Sequence, residues 1–143
     1  HLIGSDFETT RKACEKFKYK PVSIMNFIEG TRFTTDKHKT QKSPFQHLLR
    51  PKAGGLGFAL GAMGEHLTKM VNVTIHYPDG IPTFGDFLCG RIKQVNVDVE
   101  VEPIPEEVIG DYFKDKKFKQ NFQQWLNQQW LEKDKKMVTF TQK

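Results

Sequence analysis

The stretch from Lys52 to Tyr77, KAGGLGFALGAMGEHLTKMVNVTIHY, changes its period halfway along. Leu56, Leu60, Met63 and Leu67 recur at steps of three and four, the spacing of one helix face. The small residues Gly57, Ala59, Gly61 and Ala62 lie between them, which predicts a helix over Lys52 to Leu67 that approaches a sheet closely. From Val71 to Tyr77 the residues become β-branched and alternate, which predicts a strand. Pro78-Asp79-Gly80 supplies the turn chemistry that ends it. A helix feeding a strand is the unit of an α/β protein, so the expected class is α/β, a mixed sheet with flanking helices.

The flanking sequence extends that pattern. Upstream, Pro21 to Phe27 is a β-rich run that reads as a strand entering a loop, and Phe33 to Pro51 is polar and basic with no clear period, so it reads as a loop or loosely helical excursion. Further upstream, Ser5-Asp6-Phe7-Glu8 forms a capping box for a helix running to about Phe17. Downstream, Thr83 to Cys89 reads as a short helical turn. Gly90 to Ile104 then alternates, Val95, Val97, Val99 and Val101 on one face and Asn96, Asp98, Glu100 and Glu102 on the other: a half-exposed strand. Pro105-Glu106-Glu107 opens a short helix with acids at its positive end. A last helix spans Lys117 to Lys135, with Phe118, Phe122, Trp125 and Leu126 inward and Trp130 drifting off that face. Its interleaved aromatics and lysines also suit a membrane-surface helix or single-stranded nucleic acid, but one packed face and one solvated face is the simpler reading.

The chain has 143 residues, the size of a single domain, so residues 1–143 are expected to form one. Its 37% hydrophobic content is enough for a core, which excludes wholesale disorder. The longest weakly polar run, Ala53 to Gly64, is far short of the roughly 20 apolar residues that a membrane span needs. Cys14 and Cys89 are too few for a disulfide framework and lack metal-ligand spacing. They read as buried small side chains in a reducing compartment. The net charge of +5 is unevenly spread. Eleven Lys and Arg fall in residues 1–52, and six acids without a base fall in residues 95–111. A basic excess suits nucleic acid, an anionic membrane surface or a phosphorylated ligand, or it is simply a solvated surface.

The sharpest local feature is Asn26-Phe27-Ile28-Glu29-Gly30-Thr31-Arg32. Placed at the carboxyl end of a strand, it stands where ligands of open α/β sheets gather. Gly30 admits an unusual backbone angle, Arg32 offers a planar fork for phosphate or carboxylate, and Glu29 can steady that fork. Phe27 to Arg32 resembles the F-P-E-G-T-R block of the glycerolipid acyltransferases, the lysophosphatidate acyltransferase or PlsC-like family, with Ile28 in place of proline. Phe27 to Lys39, Leu49 to Leu60 and Val73 to Pro78 follow in the family's order. Glu-Gly-Thr-Arg-Phe-Thr followed by Lys37-His38 is most similar to its YihG-like, lysocardiolipin-acyltransferase-like branch. The resemblance covers roughly residues 5 to 105.

The resemblance implies transfer of an acyl chain from acyl-CoA or acyl carrier protein to the free hydroxyl of a lysophospholipid, at the cytoplasmic face of a membrane and without a cofactor or metal. It assigns Glu29, Gly30, Thr31 and Arg32 to the acceptor's phosphate, with Lys52 as an adjoining basic residue. Nucleic acid is not an expected partner on this reading. The main alternative is a non-catalytic basic module for RNA or anionic lipid surfaces.

One departure concerns catalysis. The family's H-x-x-x-x-D motif lies well upstream of the Glu-Gly-Thr-Arg block. The formal match here, His1 to Asp6, is too close to Glu29, and Asp6 falls in the first turn of a helix. Five residues after His38, His47, His66 and His76 stand Ser43, Lys52, Val71 and Ile81, none of them acidic. The chain is therefore expected to be the C-terminal part of an acyltransferase domain, inactive alone. An exposed upstream sheet edge would also allow self-association.

Overall fold

The computed structural model describes residues 21–141, and these form helices with a small two-stranded antiparallel sheet, broadly an α/β arrangement. The expected helix after Ser5, the His1–Asp6 match and Cys14 lie outside the described residues. In chain order the elements are α1 (Thr35–Gln41), α2 (Ala53–Met63), β1 (Lys69–His76), α3 (Phe84–Leu88), β2 (Asn96–Pro103) and α4 (Lys116–Thr141). One-turn 3-10 helices cover Gly64–His66 and Glu106–Val108, the latter entered from Pro105 as expected. The described residues fall into two compact units, 21–32 with 51–69 and 103–126, and 33–50 with 70–102 and 127–141.

In the first unit α2 packs its glycine stripe against the segment that leads into α4. A Cβ added at Gly57 would lie 2.7 Å from the Tyr112 ring, one at Gly61 2.7 Å from the Gly110 carbonyl oxygen, and one at Gly64 2.9 Å from Ile109. The small residues therefore serve close approach, but to residues 109–112 and not to a sheet. Gly110 is in turn covered by the Phe118 ring. Leu60, Met63, Val108, Tyr112, Phe122 and Leu126 form the core. Tyr112 meets Phe122 edge-on, with ring centroids 5.4 Å apart. Pro21 to Phe27, expected as a strand, forms no strand, so the sheet has two strands among the described residues.

In the second unit the excursion from Phe33 to Arg50 is ordered by its own polar contacts. Thr34 caps α1 by accepting from the Lys37 amide. Lys42 ends it in the left-handed region at φ 48°. The Arg50 guanidinium donates to the carbonyls of Gln41 and Lys42 at the helix's negative end. A ring nitrogen of His38 lies 2.6 Å from the Phe45 carbonyl, which gives that histidine a structural partner. Phe45, Leu48 and Leu49 are buried. Asp134 of α4, itself buried, accepts from the amides of Gln46 and His47 at 2.7 Å each and fastens the loop.

The sheet reverses the expectation that polarity invites. Asn72, Thr74, His76, Asn96, Asp98 and Glu100 point inward or are half-buried, while Val71, Val73, Ile75, Val97, Val99 and Val101 are exposed. The reason lies in α4. Its lysines reach the sheet, Lys136 pairing with Asp98 and Glu100 and Lys133 donating to the Val73 carbonyl at 2.8 Å, while Phe140 stacks on His76. The cationic helix face selects the anionic strand face. Trp130, read from spacing as off the packed face, is buried at 8% exposure in register with Phe122 and Leu126. Between the strands, Thr83 and Asp86 close a capping box on α3. Cys89, after α3, is exposed, not buried as expected.

Hydrogen bonding to Glu100, and after it the charges of Glu100 and Asp98, hold the Lys136 ammonium above the usual lysine range. A raised lysine stabilises the fold fully below the ordinary value near 10.5 and ceases to do so as pH climbs through the folded value. The urea midpoint should therefore fall more steeply above about pH 10.5 in the parent than in Lys136→Met. Parallel curves for the two proteins would show that Lys136 carries no such linkage.

Candidate anion-binding site

Phe27 to Arg32 turns sharply within the first unit. The Gly30 amide donates to the Phe27 carbonyl at 2.8 Å, and Gly30 sits at φ +66°, where a side chain would be strained. That turn is joined to a residue far along the chain. The Lys52 amide donates to the Ile28 carbonyl at 2.8 Å. The Lys52 side chain runs alongside the glycine, its Nζ 3.3 Å from where a Gly30 Cβ would stand.

The five residues singled out from sequence are thus placed in one unit, and two of them, Gly30 and Lys52, are in direct proximity. Gly30, Thr31, Arg32 and Lys52 are exposed, and Glu29 is half-buried. Glu29, Thr31 and Arg32 each hold an interaction of their own within the fold. The turn therefore carries Arg32 in its own sequence and brings the Lys52 side chain against a backbone that glycine accommodates easily.

Two further features were not singled out from sequence. Lys52 is the N-cap of α2, and it makes no side-chain capping bond; the first turn of that helix holds no acid either. Its leading amides thus have no anionic side chain from their own turn to face. The signal was present in Lys52-Ala53-Gly54-Gly55, which lacks any Ser, Thr, Asp or Asn at the cap position. Asn26 stands beside this start, its amide nitrogen 3.4 Å from the Cβ position of Gly55. Just before the turn in sequence, Met25 and Phe27 expose 82% and 79% of their surfaces. Cationic and apolar surface adjoin along residues 25–32, a combination suited to an amphiphile with an anionic head.

Among the described residues no group of three His, Cys, Asp or Glu side chains is placed to hold a metal ion. Among them, too, no helix is long and apolar enough to cross a membrane. No protein-family model and no solved structure matches the chain.

Proposed function

We propose that this chain binds the phosphate of a lysophospholipid through the turn from Glu29 to Arg32 and through Lys52, as the acceptor-binding part of a glycerolipid acyltransferase. The observation that carries the reading is the seating of Lys52 against Gly30. Two basic residues twenty positions apart in sequence meet a left-handed glycine turn, next to an uncapped helix start and two exposed apolar side chains. Arg32 supplies a fork for two phosphate oxygens and Lys52 a point charge on a flexible stem. Met25 and Phe27 would lie against the lipid's acyl chain. The ordered blocks from Phe27 to Pro78 that resemble the acyltransferase family support the same reading.

In the reaction, the acceptor hydroxyl attacks the thioester carbonyl of acyl-CoA or acyl carrier protein, an ester forms and the thiol leaves. The hydroxyl's proton goes to a general base. No histidine of residues 21–143 has an acid five positions on, so this stretch supplies acceptor binding rather than the family's base. On this reading the fold is the C-terminal portion of the acyltransferase fold, working at a membrane surface.

Glycerol 3-phosphate is the simplest probe. Its addition should shift the amide resonances of Gly30, Thr31 and residues 53–55, and Arg32→Ala should weaken that binding at least about tenfold, the effect of removing one charge-assisted pair. An unchanged spectrum, or equal shifts in Arg32→Ala, would overturn the proposal. Binding of RNA that falls steeply with salt and is indifferent to Arg32 would favour a basic nucleic-acid module instead.

A further inference from the structure

Residues 77–95 join β1 to β2 within the second unit, far more chain than the few residues that an ordinary hairpin connection uses. Not one of them is buried. At their centre stands α3, with Phe84, Phe87 and Leu88 at positions i, i+3 and i+4, and so on one face. These three are 63%, 66% and 67% exposed, and Ile81, three residues before Phe84, is 61% exposed. The rings of Phe84 and Phe87 stack on each other with centroids 6.4 Å apart.

Three observations on this loop select a lipid surface as its occupant. The first is the backbone. The amides of Thr83, Asp86, Phe87, Cys89, Gly90 and Arg91 all donate to oxygens of the loop itself, at 2.8–3.2 Å. A medium without hydrogen-bond partners tolerates backbone in that closed condition, whereas a peptide that added as a strand would need open amides.

The second is charge. Asp86 is the one charged side chain in residues 80–90. It falls on the side of α3 away from the two rings, accepts from the Thr83 amide and hydroxyl, and pairs with Arg91. Arg91, its side chain still 69% exposed, and exposed Lys93 follow the apolar turn directly; Asp79 is the one charge on the entry side. Cations beside an apolar turn suit anionic headgroups, and the net charge of +5 adds a general attraction.

The third is area. Two phenylalanines and two aliphatic side chains, each about two-thirds exposed, offer roughly 300–450 Å² of apolar surface. A standard protein interface takes about 800 Å² from each partner. Partition into a bilayer uses whatever apolar surface is offered and asks for no complementary shape.

We infer that residues 81–88 insert into the interface of an anionic lipid bilayer, apolar face first, with Arg91 and Lys93 among the headgroups. The inference does not rest on the acyltransferase reading, and the two can fail separately.

Co-sedimentation of the full chain with mixed vesicles of phosphatidylcholine and phosphatidylglycerol tests it. The parent should bind. Phe84→Gln and Phe87→Gln, both at exposed positions that the fold does not need, should each weaken binding about tenfold. Phe87→Trp should keep binding, because tryptophan suits the same interface. A doxyl quencher on the lipid acyl chain should then dim its emission beyond that of the parent's own tryptophans. Glycerol 3-phosphate should shift the same amides in all three variants as in the parent, which keeps this surface apart from the phosphate site. A parent that does not sediment with the vesicles overturns the inference, whatever glycerol 3-phosphate does. So does binding that neither Phe84→Gln nor Phe87→Gln weakens, or a vesicle-bound Phe87→Trp that the quencher leaves bright. A chain that dimerises through Phe84 and Phe87 and ignores vesicles overturns it in favour of a second copy.

Discussion

Asp134→Ala should lower the unfolding free energy by about 3 kcal/mol, the largest loss expected from any single truncation of a polar side chain in the second unit. The carboxylate is 8% exposed and accepts from two amides, those of Gln46 and His47, at 2.7 Å each. A hydrogen bond to a charged group contributes about 1.5–3 kcal/mol, so two would sum to about 3–6. Gln46 is itself exposed, and water replaces part of its bond, which places the expectation at the lower end. Asp134→Asn separates charge from shape. Its single carbonyl oxygen can accept one of the two amides well, so about half the loss should remain. Urea unfolding followed by circular dichroism gives both values. A loss below about 0.5 kcal/mol in Asp134→Ala, the range of ordinary surface changes, would mean that the loop from Ser43 to Arg50 holds without this anchor.

The glycines of α2 predict opposite signs for the same substitution. In a helix interior, glycine to alanine should stabilise by about 0.5–1 kcal/mol through backbone entropy. At Gly54 nothing lies within 4 Å of the new Cβ, so Gly54→Ala should show that gain or part of it. At Gly61 the Cβ would stand 2.7 Å from the Gly110 carbonyl oxygen. That neighbour is backbone and cannot rotate away, and Gly110 is itself pressed by the Phe118 ring. Overpacking of this kind costs about 1–3 kcal/mol, which exceeds the entropic gain. Gly61→Ala should therefore destabilise by about 1–2 kcal/mol, and Gly57→Ala, against the Tyr112 ring, by a comparable amount. Thermal or urea unfolding of the three variants decides it. Equal gains at Gly54 and Gly61 would show that α2 does not approach residues 109–112 so closely.

Most individual elements could be read from the chain. The helix that begins at Ala53, the strand through Val73, the turn at Pro105 and the long last helix all follow from local spacing, because each is set by residues within a few positions of one another. The turn at Gly30 belongs with them: Glu-Gly-Thr-Arg marks a tight bend beside a cation before any partner is known. Pro21 to Phe27 has strand composition and is not a strand, because β-propensity is realised only where a neighbouring strand offers its hydrogen bonds. The excursion after Phe33 conceals α1, whose seven residues bury no side chain, so no apolar period announces it; Thr34, Lys42 and Arg50 make it by capping its ends.

Val97, Val99 and Val101 alternate with Asp98 and Glu100, a pattern that already defines a two-faced strand. Which face turns inward was decided only by tertiary structure. An alternating pattern records that two faces differ, and the inward one is whichever the covering element can satisfy. Here that element is α4, whose Lys133 and Lys136 meet carbonyl and carboxylate oxygens and leave the valines outside. The seating of Lys52 against Gly30 is of the same kind. Each residue carries its chemistry in the sequence, but their meeting depends on a backbone hydrogen bond from Lys52 to Ile28, which no local pattern encodes.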